Sequence, residues 1–211
     1  MSDARAALAD LQRRLAVCKR CPNMIGPVVQ GQPNFSRIYL VGQAPGPHEG
    51  EKGKPFAWTA GKQLFKWFAT LGVDEETFRA KAFMAAVARC FPGKAKAAGD
   101  RKPDADEIAA CRTFMDEEVR LLKPKLIIPV GGLAIEQIIG GKPALTDVVG
   151  QTVEVAVAGV ECDAIALPHP SGASTWHKME PGKTLLAEAL EVLGNHPVWK
   201  ETFGQARKAA G

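Results

Sequence analysis

Four cysteines constrain this chain more than any other feature. Cys18 and Cys21 form a C-x-x-C pair, and Cys90 and Cys111 follow singly, far downstream. A close pair with two distant singles suits four thiolates converging on one metal centre, which would draw separated segments together. Iron–sulfur clusters and structural zinc both use such all-sulfur sets. A lone C-x-x-C can also be redox-active or incidental, and Cys90 and Cys111 could be core residues. Disulfides are not expected: no secretory signal precedes the first cysteine, and the N-terminus is a charged, Ala/Leu-rich helical pattern. The fifth cysteine, Cys162, lies in a short apolar stretch and reads as an ordinary buried thiol.

A chain of 211 residues can bury a core without staples, so a metal centre here would organise a particular surface rather than rescue a small fold. No apolar run approaches the roughly 18 residues of a membrane span, and no membrane partner is expected. Net charge is +4, a mild bias that permits nucleic acid without demanding it. The distribution is more informative. Gly93–Pro103 holds Lys94, Lys96, Arg101 and Lys102 against one acid, Asp100, and Arg13, Arg14, Lys19 and Arg20 surround the first cysteine pair. A solvated charged loop accounts for the same composition.

Periodicity supplies the elements. Ala4–Val17 reads as a helix with Leu8, Leu11 and Leu15 on one stripe, and Lys62–Leu71 as another. Asp104–Leu122 is the clearest helix, with Ile108, Cys111, Met115, Val119 and Leu122 at three- and four-residue steps. Strand candidates are Arg37–Gly42, Ala82–Val87, Lys125–Gly131, Val153–Val157 and Ala164–Leu167; Leu133–Ile139, Pro181–Leu193 and Pro197–Lys208 read as further helices. Strands alternating with helices predict a mostly parallel sheet covered on both faces, in a single domain spanning residues 1–211. Ligands of such folds bind outside the strands' carboxyl ends. The two irregular motifs, after Gly42 and after Leu167, both lie there, which predicts one site built from two distant loops.

The pattern G-Q-A-P-G-x(6)-G-K-P-F-x(3)-A-G from Gly42 to Gly61 resembles the first motif of the uracil-DNA glycosylase superfamily, with the spacing of its iron–sulfur branch, family 4. His169-Pro170-Ser171-Gly172-Ala173-Ser174 resembles the second motif, and the cysteine order is also similar to that branch. The resemblance runs from about residue 10 to 195. It implies a three-layer α/β/α sandwich around a central, mostly parallel four-stranded sheet. It also implies a structural [4Fe–4S] cluster on Cys18, Cys21, Cys90 and Cys111, with zinc the weaker alternative. The activity implied is removal of uracil from single- or double-stranded DNA, as a monomer, in the cytoplasm beside the nucleoid.

On that resemblance, Phe56 matches the position that stacks on a flipped base, and His169 matches the histidine that hydrogen-bonds the departing base. Gly42 and His48 belong to the same base-binding loop. Ser171, Ser174 and Trp176 occupy the segment that wedges into DNA, although Trp176 could equally pack on the sheet. Lys94, Lys96 and Arg101 would follow the phosphate backbone.

Three departures qualify these expectations. Gln43 stands where the family usually carries an acid; it can orient water but not take its proton, so Glu49 becomes the preferred carboxylate. Ala86 stands where the uracil-selective branch has an asparagine that reads the pyrimidine edge. Losing that reader resembles the broader family 5 branch and extends the expected substrates to hypoxanthine and xanthine. The interval from Cys90 to Cys111 is lengthened by the basic insert, which lacks the histidine that traps DNA covalently in a related branch. The alternative is a catalytically weakened iron–sulfur module that binds DNA or senses damage.

Overall fold

Short apolar runs fully buried on both faces make the centre of the molecule, and amphipathic helices cover it. The computed structural model describes residues 2–96, 99–172 and 174–204. The elements in chain order are α1 (Ser2–Ala16), β1 (Ile38–Gly42), α2 (Glu49–Lys52), α3 (Thr59–Ala69), α4 (Glu75–Lys81), β2 (Phe83–Ala86), α5 (Ala105–Leu122) and β3 (Leu126–Pro129). They continue with α6 (Gly132–Ile139), α7 (Leu145–Val148), β4 (Thr152–Val157), β5 (Val160–Ile165), α8 (Gly182–Asn195) and α9 (Pro197–Phe203), with one 3₁₀ turn at Trp176–Lys178. Residues 205–208 of the helix expected to end at Lys208, and Ala173 of the second motif, lie outside the described residues.

The sheet has five strands, not the four expected, in the order β2-β1-β3-β5-β4. β2, β1, β3 and β5 are parallel; β4 joins antiparallel to β5 as the extra edge strand. A two-residue turn at Ala158 and Gly159, with φ of 51° and 81°, makes this hairpin possible because both residues take the left-handed conformation such turns need. β5 starts at Val160 rather than Ala164, since Glu161 and Asp163 alternate with apolar neighbours and interrupt the hydrophobic run.

Alternation sorts each strand between two layers. Ile38, Leu40, Met84, Leu126, Ile128 and Ile165 face a core made with α3, α4, α8 and α9. Tyr39, Val41, Phe83, Ala85, Ile127 and Ala164 face the opposite core, closed by α1, α5 and α6. Period two in the strands therefore yields the three-layer α/β/α sandwich. The first core is rich in aromatic pairs: Phe78 stacks on Phe68 at 4.5 Å and on Phe203 at 5.6 Å. α5 begins with a capping box, Asp104 accepting from Glu107 N–H while Glu107 accepts from Asp104 N–H, which fixes where the Cys111 helix starts.

The segment from Val29 to Asn34 tracks antiparallel along β2. Val29 N–H donates to Arg89 O, Gly31 lies so close to Met84 O that a side chain there would clash, and Asn34 Nδ2 donates to Arg79 O and Ala82 O.

Candidate active site and cysteine cavity

The loop that leaves β1 is tied down by its own acid. Glu49, first residue of α2, is buried, and its carboxylate accepts from Gly46 N–H at 2.6 Å and Ala57 N–H at 2.9 Å, holding both arms of the loop. Burial pushes the Glu49 carboxyl above its ordinary value, against the lowering effect of those backbone donors. Phe56 follows with φ of 53°, a strained conformation for an aromatic residue. Arg79 maintains it by donating to Pro55 O and Phe56 O, each at 2.9 Å, while lying over the Phe65 ring. A Cβ on Gly42 would come within 2.7 Å of Phe56 Cζ, so only glycine lets the ring lie against the end of β1.

The second loop follows β5. Ser171 N–H donates to His169 Nδ1 at 3.2 Å. A backbone N–H can only donate, so Nδ1 is unprotonated and the neutral ring carries its hydrogen on Nε2. Burial, and secondarily His177, hold the His169 pKa below its ordinary value, partly opposed by Asp100. A Cβ on Gly131 would meet His169 Cδ2 at 2.9 Å, so glycine also sets this ring's seat.

These loops enclose one cavity of about 690 Å³ at the carboxyl ends of β1, β2 and β3. It gathers Gly42, Gln43, His48, Glu49, Phe56, Ala86, Lys94, His169, Ser171 and Ser174 from the residues singled out in the sequence. The Gln43 side chain makes no hydrogen bond among the described residues, while its carbonyl accepts from Ala88 N–H at 3.0 Å. Ala86 is buried at the end of β2.

Three of the singled-out residues stand apart. Trp176 is half-buried on the first core, its indole packed so closely over Gly182 that a Cβ there would lie 2.7 Å from Cδ2. Arg101 forks onto Glu107 at 2.6 and 2.7 Å and donates to Asn23 O, pinning the insert to α5 and to the C-x-x-C segment. Lys96 is exposed and does not line the cavity.

Sequence reasoning missed Trp58 and Asp100. Trp58 is exposed at the cavity rim, its ring tilted 38° against that of His48 with centroids 4.6 Å apart and with Lys62 Nζ 6.0 Å from its ring. Asp100 lines the cavity from within the basic insert. Nothing in local periodicity marks either one.

The four cysteines line a second cavity of about 420 Å³, between α1, α5 and the segment after β2. Burial pushes the Cys90 thiol up to about 11, with Cys111, Cys18 and Cys21 adding to the effect. Deprotonating thiols crowded this way would set their charges against one another, which a bound cationic centre would offset. Among the described residues no group of three or more His, Cys, Asp or Glu side chains is close enough to hold a single metal ion. Tetrahedral zinc would need sulfurs about 3.8 Å apart, given Zn–S bonds of about 2.3 Å. Four cysteines lining one cavity form an all-sulfur donor set of the kind that soft metal centres take. Cys162 is buried on β5, away from this set.

Arg89 links the two cavities. It is buried, forks onto Glu118 at 2.9 and 2.6 Å, and donates through Nε to Ala86 O at 2.7 Å. Tyr39 hydroxyl completes the network by donating to Glu118 Oε2 at 2.6 Å.

The sequence model of the uracil DNA glycosylase superfamily matches residues 28–194. The chain is 29% identical over 171 residues to the type-4 uracil-DNA glycosylase of Pyrobaculum aerophilum, covering 78% of this chain and 83% of that protein. It is 27% identical over 172 residues to the type-4 uracil-DNA glycosylase of Archaeoglobus fulgidus, with 78% and 82% covered. Similarity extends to the type-5 uracil-DNA glycosylase of Pyrobaculum aerophilum, 24% identical over 196 residues, with 79% and 84% covered.

Proposed function

The chain belongs to the uracil DNA glycosylase superfamily, and from that premise we propose that it excises uracil from DNA by hydrolysing the N-glycosidic bond, the first step of base-excision repair. The observation that carries this reading is a neutral His169, its Nδ1 capped by Ser171 N–H, in one cavity with Glu49 and Phe56.

The chemistry follows from those positions. A target base must leave the stack before its C1′ can be reached. The Phe56 ring offers it a stacking face, and His169 Nε2–H offers a donor to its carbonyl oxygen. The C1′–N bond breaks with its electron pair leaving on the base, and the donor stabilises the anion that forms. Water adds through oxygen to C1′ of the resulting sugar cation, and its proton passes to the Glu49 carboxylate and on to the base anion or solvent. A neutral histidine stabilises an anion by hydrogen bonding without having to be protonated first, which agrees with its lowered pKa.

The substrate range extends to hypoxanthine and xanthine. The methyl of Ala86 at the cavity floor makes no hydrogen bond and so penalises no particular base edge. Cys18, Cys21, Cys90 and Cys111 would hold a [4Fe–4S] cluster, which would tie the segments that carry them together without entering the reaction. DNA is the partner, held with Lys94, Ser171 and Ser174 at the cavity mouth, and the protein acts as a cytoplasmic monomer.

The test is incision of uracil-, hypoxanthine- and xanthine-containing oligonucleotides, single- and double-stranded, followed by alkali. Strand breaks at uracil are expected, with weaker breaks at the deaminated purines. Breaks at uracil alone would remove the broad range, and binding without abasic sites would favour a damage-sensing module.

A further inference from the structure

The basic insert does not simply reach outward to DNA. It folds into a hairpin, Ala95 N–H donating to Gly99 O at 3.0 Å and Arg101 N–H to Gly93 O at 2.9 Å, and one wall of that hairpin faces the cavity holding Glu49 and His169. Asp100 is its single acid. Lys94 Nζ takes one carboxylate oxygen, Oδ1, at 2.7 Å. The other, Oδ2, turns toward the β1 loop: the position a Cβ would occupy on Gly46 lies 3.7 Å from Asp100 Oδ2 and 3.7 Å from Glu49 Oε2, so the two oxygens are at most 7.4 Å apart. His169 also experiences the Asp100 charge.

A carboxylate on a surface meant for phosphates is electrostatically unfavourable. The hairpin does not need it for shape, since its backbone ladder and the Arg101–Glu107 fork already hold the insert. Gln43, meanwhile, is uncharged, so Glu49 is the one acid that the β1 loop contributes to the cavity lining facing a sugar cation. Two carboxylates that approach the same point of one cavity can share a water, as in hydrolases that place a water and a charge around a glycosidic carbon.

We propose that Asp100 is the second catalytic carboxylate of this site, contributed by the insert in place of an acid at position 43. As the C1′–N bond breaks, Asp100 Oδ2 faces the positive charge on the sugar. It shares the attacking water with Glu49, which takes the water's proton. Lys94 positions Asp100 by holding Oδ1, which turns Oδ2 inward.

The inference rests on the glycosylase reading, and the experiment separates the two. Single-turnover excision from a uracil oligonucleotide is compared for the wild type, Asp100→Asn and Lys94→Ala, beside affinity for an uncleavable 2′-fluorinated deoxyuridine oligonucleotide and the thermal midpoint. Asp100→Asn is expected to lower the rate about 100-fold while affinity changes by no more than about two-fold and the midpoint holds. Combined with Glu49→Gln, its effect should be less than additive because both groups serve one water. The His169 ring titration, followed by NMR, should move to lower pH in Asp100→Asn, a readout independent of turnover. An Asn variant at wild-type rate, one that loses only affinity or stability, or an unmoved His169 titration overturns the role of Asp100 while leaving the glycosylase intact. A wild type that makes no abasic sites overturns both.

Discussion

Ser171 N–H donates to His169 Nδ1 across 3.2 Å, and this one contact decides which ring nitrogen carries the hydrogen. Protonating His169 would put two donors against each other, so acid pH attacks the contact directly. The His169 pKa lies below its ordinary 6.5 and that of Glu49 above its ordinary 4.5. The excision rate should therefore fall toward acid as both groups gain a proton, Glu49 ceasing to be a base and His169 losing its contact with Ser171 N–H. The depressed pKa of His169 contributes stability that is lost toward acid, opposed by the raised pKa of Glu49, so His169→Gln should lose less thermal midpoint on acidification than the wild type. A rate profile that rises toward acid would exclude a neutral His169.

Gly42→Ala tests the seat of Phe56. The added methyl would sit 2.7 Å from Phe56 Cζ, and the strained Phe56 backbone leaves the ring little freedom to yield. Excision should drop about 10-fold or more, with the thermal midpoint lowered by overpacking worth about 1–3 kcal/mol. Phe56→Leu in the same background should recover stability without recovering rate, separating packing from base stacking.

Cys111→Ala should abolish the brown colour and the broad absorbance near about 400 nm expected of an iron–sulfur centre. Cys162→Ala should leave colour and iron content unchanged, because that thiol lies on β5 outside the cysteine cavity. Equal loss in both variants would mean the colour reports general unfolding.

The Arg89–Glu118 pair should show the asymmetry of buried ions. Arg89→Met strands a carboxylate in the core and should cost about 3–5 kcal/mol in chemical denaturation. Adding Glu118→Leu should return much of that loss, since a matched apolar pair needs no counter-charge. The double variant should still excise slowly, because Arg89 Nε no longer holds Ala86 O at the cavity floor.

Ala86→Asn should narrow the substrate range by restoring a bidentate group at the floor. Excision of hypoxanthine and xanthine should fall by about 10-fold or more relative to uracil, in a competition assay on mixed oligonucleotides. An unchanged ratio would place the selectivity elsewhere in the cavity.

The central strands were legible because residues such as Tyr39 to Val41 and Ile127 to Val130 are apolar on both faces, and α5 because its stripe repeats cleanly. Less legible were elements with weaker signals. β5 hides behind Glu161 and Asp163, and α4 is only seven residues long, marked chiefly by the Asp74 cap that accepts from Thr77 N–H. Motif residues after strand ends converged because a parallel sheet forces its carboxyl ends together. Asp100 and Trp58 were invisible for the converse reason: their roles depend on how a hairpin and a rim fold back over the cavity. Trp176 lies half-buried against the first core, in keeping with the packing alternative that its position allowed.

The backbone segment that runs from Val29 to Asn34 beside β2 bears on whether the sheet can be extended at that edge. β2 is an outer strand of the sheet, and an uncovered outer strand is a template on which a second chain can add its own. Gly31 brings backbone against Met84 where a side chain could not fit, so that flank is occupied from within. The opposite flank, β4, alternates exposed Thr152 and Glu154 with half-buried valines, and a charge there discourages pairing. A repair protein must survive crowding on long DNA without seeding fibres of itself, and this sheet is guarded on both sides against doing so.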